Sequence, residues 1–157
     1  MTTIQDLERR IASLESQLRA MPHRVLSTIE PSMRFYPLTV PLTSTAWDGD
    51  ARSTEARTLL DLSAVFGAPP NVKAILVRMW ARDSASAATT GLLLMLGPAG
   101  GSTHAALISR PSGLTDNYWA EAEGICPCDV NGDVYYQIVA SGVGTLDANI
   151  QIWGYWL

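Results

Sequence analysis

The residues that could do chemistry are few and scattered. Glu121 and Glu123 are the only close carboxylate pair in a strand-like stretch, and alternation would put both on one face. That pair alone does not make a hydrolase. His23 and His104 are the only histidines, and no Gly-x-Ser-x-Gly elbow accompanies them. "GPAGGSTH" (97–104) is glycine-rich but lacks the lysine and the strand–loop–helix setting of a phosphate loop. It reads as a hairpin loop. Cys126 and Cys128 would share one face of an extended chain, with no further cysteine to complete a soft-metal site. They read as small buried apolar residues. "DVNGD" (129–133) places Asp129, Asn131 and Asp133 at the one-three-five spacing of a calcium loop, but no distal glutamate follows. A tight hairpin turn at Asn131-Gly132 explains the same residues. The expectation is a protein that is not an enzyme, with no catalytic residues, no metal and no cofactor.

Aromatic residues are the other candidates. Trp47, Trp80, Trp119, Trp153 and Trp156 could include a sugar-stacking platform, although aromatics in a sheet protein more often serve a core or a subunit interface. The segment "STAWDGDARST" (44–54) is polar and loop-like. It is expected to expose Trp47 beside Asp48 and Asp50, the first place to look for a glycan-binding site.

Composition narrows the partners. The chain is 47% hydrophobic and 17% charged, which is globular rather than disordered. A net charge of −4 without a basic patch gives no sign of nucleic-acid binding. No apolar run reaches the roughly 18 residues of a membrane span, and the charged, periodic N-terminus does not resemble a secretory signal.

The elements that would position these residues fall into two parts. Ile4, Leu7, Ile11, Leu14, Leu18 and Met21 recur at alternating spacings of three and four, an a/d heptad seam. Thr3 can cap this helix and Pro22 stops it. An isolated helix of about 18 residues is marginal in water, so the seam needs a cover. Arg10 and Glu15 fall at g and the following e, where parallel chains pair. Copies of the same helix would serve; the alternative is a helix folded back on its own domain. Residues 1–21 are read as a coiled coil and 22–33 as a linker.

From Arg34 the helical period gives way to strands. Candidates are 34–42, 56–66 with a bend, 72–83, 91–97, 105–111, 117–125, 133–142 and 146–157. Eight short strands with frequent turns predict an antiparallel, jelly-roll-like β-sandwich over 34–157. In the last strand Ile150, Ile152 and Trp156 should share one face. Asn149, Gln151, Trp153, Tyr155 and Leu157 should share the other, a mixture of amides and aromatics suited to a subunit interface.

Two resemblances follow. "RIASLE", at Arg10, Ile11, Leu14 and Glu15, resembles a known short trimerisation motif. In that motif the arginine reaches the neighbouring chain's glutamate and packs its methylenes over the core. Ile at a with Leu at d leans instead towards two strands; the motif makes a homotrimer the expectation. The whole layout, with "DLSAVFGAPPNVKAILVRMWARD" and "DVYYQIVASGVGTLDANIQIWGYWL", resembles small structural appendage proteins of tailed bacteriophages. These include head-decoration proteins, head fibres and short tail-fibre subunits. The resemblance implies a trimeric virion component assembled in the host cytoplasm, attached through its stalk to a phage capsid or tail protein. A multivalent carbohydrate- or receptor-binding module, facing a host surface glycan, is the alternative.

Overall fold

The computed structural model describes residues 33–101 and 105–157, together with Ile4, Arg10 and Ile11. Contacts divide the chain into a unit of residues 1–32 and a unit of residues 33–157. Among the described residues the regular structure of the second unit is almost entirely strand. It comprises β1 (Phe35–Leu42), β2 (Asp48–Arg52), β3 (Glu55–Leu60), β4 (Ala74–Asp83), β5 (Leu93–Gly97), β6 (Leu107–Ser109), β7 (Ala120–Pro127), β8 (Val134–Val139) and β9 (Leu146–Trp156). One short helix, α1 (Leu62–Phe66), and a 3-10 turn at Thr45–Trp47 interrupt them.

The strands form two antiparallel sheets. The larger runs β1-β9-β4-β7, with β2 also pairing to β9; the smaller runs β3-β8-β5-β6. Each central strand alternates sharply. On β4, Val77, Met79 and Ala81 are fully buried while Arg78, Trp80 and Arg82 are half-exposed. On β9, Leu146, Ala148, Ile150 and Ile152 are buried and Asp147, Asn149, Gln151 and Trp153 lie on the other side. The smaller sheet answers with Leu94, Leu96, Val134, Tyr136 and Ile138, and all of these share one core cluster. Each large side chain buried this way stabilises the fold by about 1.5–3 kcal/mol before entropy is counted.

Four details depart from the sequence expectation. The bent strand 56–66 is a strand and then a helix. Asp61 caps α1 by accepting from the Ala64 amide at 2.8 Å, and Gly67 ends it in the left-handed region at φ 70°. The polar loop 44–54 contains β2. The Asn131-Gly132 turn is tight, with Asp129 accepting from the Asn131 and Asp133 amides. It joins β7 to β8 in different sheets, so it is an arch between sheets rather than a hairpin.

The fourth departure is a bulge. Leu76 pairs with Gly154 but Val77 pairs with Ile152, leaving Trp153 as the extra residue. The bulge reverses the alternation beyond it. Tyr155 packs on the core instead of sharing a face with Gln151, and Trp156 packs against Phe35 with ring centroids 4.4 Å apart and the planes tilted by 36°.

Of the seam residues, Ile4, Arg10 and Ile11 are helical, and the Ile4 and Ile11 side chains are 76% and 56% exposed. Leu7, Leu14, Glu15, Leu18 and Met21, the linker up to residue 32, and both histidines lie outside the described residues.

Candidate functional site

The candidate site lies on the outer face of the larger sheet. Register places Glu121 opposite Trp80, Trp80 opposite Asn149, and Asn149 opposite Asp48. Four neighbouring strands therefore contribute one straight row: β7, β4, β9 and β2. Gln151 stands one step along β9, opposite Arg78. Trp119 precedes β7 and closes one side. Together Asp48, Trp80, Trp119, Glu121, Asn149 and Gln151 line an open cleft of about 330 Å³.

Strand period explains most of this arrangement. Odd-numbered residues of β4 face the core, so Arg78, Trp80 and Arg82 must face out. The same rule turns Glu121 and Glu123 outward on β7, and Asn149 and Gln151 outward on β9. Trp119 depends on a separate device. The turn before it has Asn117 in the left-handed region at φ 60°, and the Asn117 amide donates to the Asp83 carbonyl at 2.9 Å. Asp83 is itself fully buried at the end of β4. Its carboxylate accepts from the Ser141 amide at 3.0 Å, the Ser141 hydroxyl at 2.5 Å, the Ala85 amide at 2.9 Å and the Thr145 hydroxyl at 3.1 Å. Burial works to raise the Asp83 pKa. The hydrogen bonds, Ser141 first, outweigh it and hold the carboxyl below its ordinary value. The buried carboxylate thus ties the chain after β4 to the turn between β8 and β9, and the backbone carbonyl of the same residue holds the turn that presents Trp119.

Trp47 does not do what the sequence suggests. It is only 3% exposed and packs edge-on against Tyr136, with centroids 4.8 Å apart. Its other neighbour is Arg52, whose guanidinium lies 4.0 Å from the ring centroid. A ring enclosed in this way cannot stack on a sugar. Trp47 instead anchors the 3-10 turn from which β2 departs, and so seats Asp48 at the cleft. Asp50 is exposed but does not line it.

Trp80, Trp119, Glu121, Asn149 and Gln151 line the candidate cleft with Asp48, and Trp47 and Asp50 do not. The signal for all of them but Trp119 was the shared period-two pattern of β4, β7 and β9. Only their cross-strand register, which sequence alone does not fix, brings them into one row.

The electrostatics of the cleft favour acceptors. Arg78 donates to Glu121 at 2.8 Å and lies 4.8 Å from the Trp80 ring centroid. Arg82 donates to Asp147 at 2.7 Å and lies 4.6 Å from the Trp119 centroid. Both guanidinium groups are therefore engaged beside the cleft rather than lining it. The Arg78 hydrogen bond, and after it the Trp80 indole, holds the Glu121 carboxyl below the usual carboxylate range. Asn149 Oδ1 is buried and has no hydrogen-bond partner, an unmet acceptor at the cleft floor.

The remaining sequence candidates resolve differently. The Asp129 carboxylate binds backbone amides of its own turn, and Asp133 accepts from the Leu62 amide at 3.0 Å. The first fastens its own turn and the second ties that turn to the start of α1. Burial pushes the Cys126 and Cys128 thiols up to about 12. Among the described residues, no group of three or more His, Cys, Asp or Glu is placed to hold a metal, and no helix is long and apolar enough to cross a membrane.

No protein-family model matches the sequence, and no curated protein or solved structure is found to match it.

Proposed function

We propose that this chain is a structural subunit of a homotrimeric bacteriophage virion appendage: a capsid decoration, head fibre or tail appendage. Residues 1–21 form a parallel coiled coil that sets the oligomer state, and the β unit forms the head. The observation that carries the reading is the heptad seam, whose described members Ile4 and Ile11 are exposed in the single chain. Apolar residues on such a seam are covered by copies of the same helix. The strand order supports the head assignment. Counted without β2, the two sheets run 1-8-3-6 and 2-7-4-5, the double Greek key of a jelly roll, an architecture shared by viral capsid and lectin domains.

Particles purified on a density gradient, from a culture carrying the gene, test this proposal. Peptides from residues 33–157 should co-purify with the particles at a copy number divisible by three. Their absence from particles while the protein accumulates in the lysate overturns it.

The cleft favours a second reading, in which the head also recognises a carbohydrate or receptor. Two half-buried indoles beside carboxylates and amides suit binding better than hydrolysis. Glu121 and Asp48 are three strand spacings apart, about 14 Å between α-carbons, and glycosidase carboxyl pairs sit closer. Glu121, held ionised by Arg78, is also a poor proton donor.

A further inference from the structure

The second reading of the cleft, on which this inference rests, leaves the class of ligand open. The side chains on the page narrow it. We infer that the cleft holds one or two rings of a non-acidic saccharide, neutral or amino-bearing, stacked on Trp119 and Trp80 and hydrogen-bonded to Asp48, Asn149 and Gln151.

Three observations lead there. The first is shape. An open cleft of about 330 Å³ on a flat sheet is at the small end of ligand sites, suited to a short sugar segment rather than a buried cofactor. The second is the platform. Each indole carries a guanidinium near one ring face, and both rings line the cleft, where the apolar C–H face of a pyranose can pack against them. The stacked arginines also hold the rings in place, so little side-chain freedom is lost on binding.

The third is the sign of the polar groups. The lining offers carboxylates at Asp48 and Glu121 and amides at Asn149 and Gln151, with no lysine or arginine among them. Glu123 and Asp147 lie alongside, and Arg78 and Arg82 are already engaged, Arg78 with Glu121 and, at 3.9 Å, Glu123, and Arg82 with Asp147. Such a surface accepts hydrogen bonds from hydroxyl and ammonium donors. A sialic acid or uronic acid would bring its carboxylate against Asp48 and Glu121 with no free cation to meet it. A single shallow site of this kind binds weakly. Three sites on one trimer would act together through a raised effective concentration.

The test uses the full-length protein on an array of glycans that share a backbone and differ in terminal charge. Neutral and amino-bearing glycans should bind at least tenfold better than their sialylated or uronate-terminated counterparts. Trp119→Ala should lose at least tenfold in binding. Trp119→Phe, which keeps a ring, should retain most of it, and Val130→Ala, on an exposed turn elsewhere, should bind as wild type. Circular dichroism and the unfolding midpoint identify a variant that has merely unfolded, in which case Gln151→Ala is used instead. Preference for acidic glycans overturns the ligand class. Failure of an intact oligomer to bind any glycan overturns the saccharide site altogether, and leaves the virion-appendage reading to stand on its own particle test.

Discussion

Trp80 and Asn149 face each other directly across β4 and β9 on the outer surface of the larger sheet. This pair is the centre of the row that runs from Glu121 to Asp48. Its members have opposite debts: Trp80 is covered on one side by Arg78, whereas Asn149 has a buried oxygen with no partner. An unmet acceptor does not stabilise a fold. Asn149→Ala should therefore leave stability within about 1 kcal/mol of wild type while weakening glycan binding severalfold. Urea unfolding and array binding, measured on the same preparation, check both halves.

Asp83 should behave in the opposite way. It is buried, ionised and the acceptor for four donors from Ala85, Ser141 and Thr145. Asp83→Asn keeps the shape but turns an acceptor into a partial donor facing those N–H and O–H groups. The expected loss is about 3 kcal/mol in urea unfolding. The turn before Trp119 is held by the Asp83 backbone carbonyl, which the substitution keeps, so glycan binding by the folded variant should stay close to wild type.

The same residue fixes a pH dependence. Its folded pKa is depressed, so on acidification the unfolded chain takes up the proton first, near the ordinary value of about 3.9. The stabilisation is complete above that value and is lost as pH falls through the lower folded pKa. Unfolding midpoints measured from pH 7 down to pH 3 should show wild type losing its advantage over Asp83→Asn only at the acid end. A constant difference between the two across the range contradicts this.

Gly154 makes room for an aromatic contact. A Cβ there would sit 2.6 Å from the Phe35 ring and 3.0 Å from the Tyr36 carbonyl oxygen. Gly154→Ala should displace Phe35 from Trp156 and cost about 1–3 kcal/mol. Adding Phe35→Ala should relieve part of that cost, because the ring is the closest obstacle. A double-mutant cycle in urea reads the coupling.

The strand pattern was largely visible in the sequence because period-two alternation in β4, β7, β8 and β9 reflects real burial on one face. The break at Asp61 was also present, as an N-cap residue six positions before Gly67, but the apolar run through Leu59 and Leu60 masked it. The bulge at Trp153 had no local signal: one extra residue in a strand looks like any other until the register with β4 is known. The site failed for a related reason. Trp47 sits among polar residues, and polar surroundings in sequence suggest exposure, yet its ring turns inward to meet Tyr136. Trp80 and Trp119 are far apart in sequence and become neighbours of Asp48 only through strand pairing.

The seam makes the largest claim about the molecule. Ile11→Asp combined with Leu14→Asp places carboxylates in its middle and should abolish oligomer formation, while the β unit keeps its far-ultraviolet signature. An oligomer that survives the double substitution shows that the seam is not what holds the copies together.

The most direct measurement is the solution mass of the purified full-length chain, by light scattering behind size exclusion. The account predicts a mass near three times the 17.0 kDa of one chain. A monomer of 17.0 kDa at micromolar concentration would contradict it, because three parallel helices could not then be the stalk of an appendage.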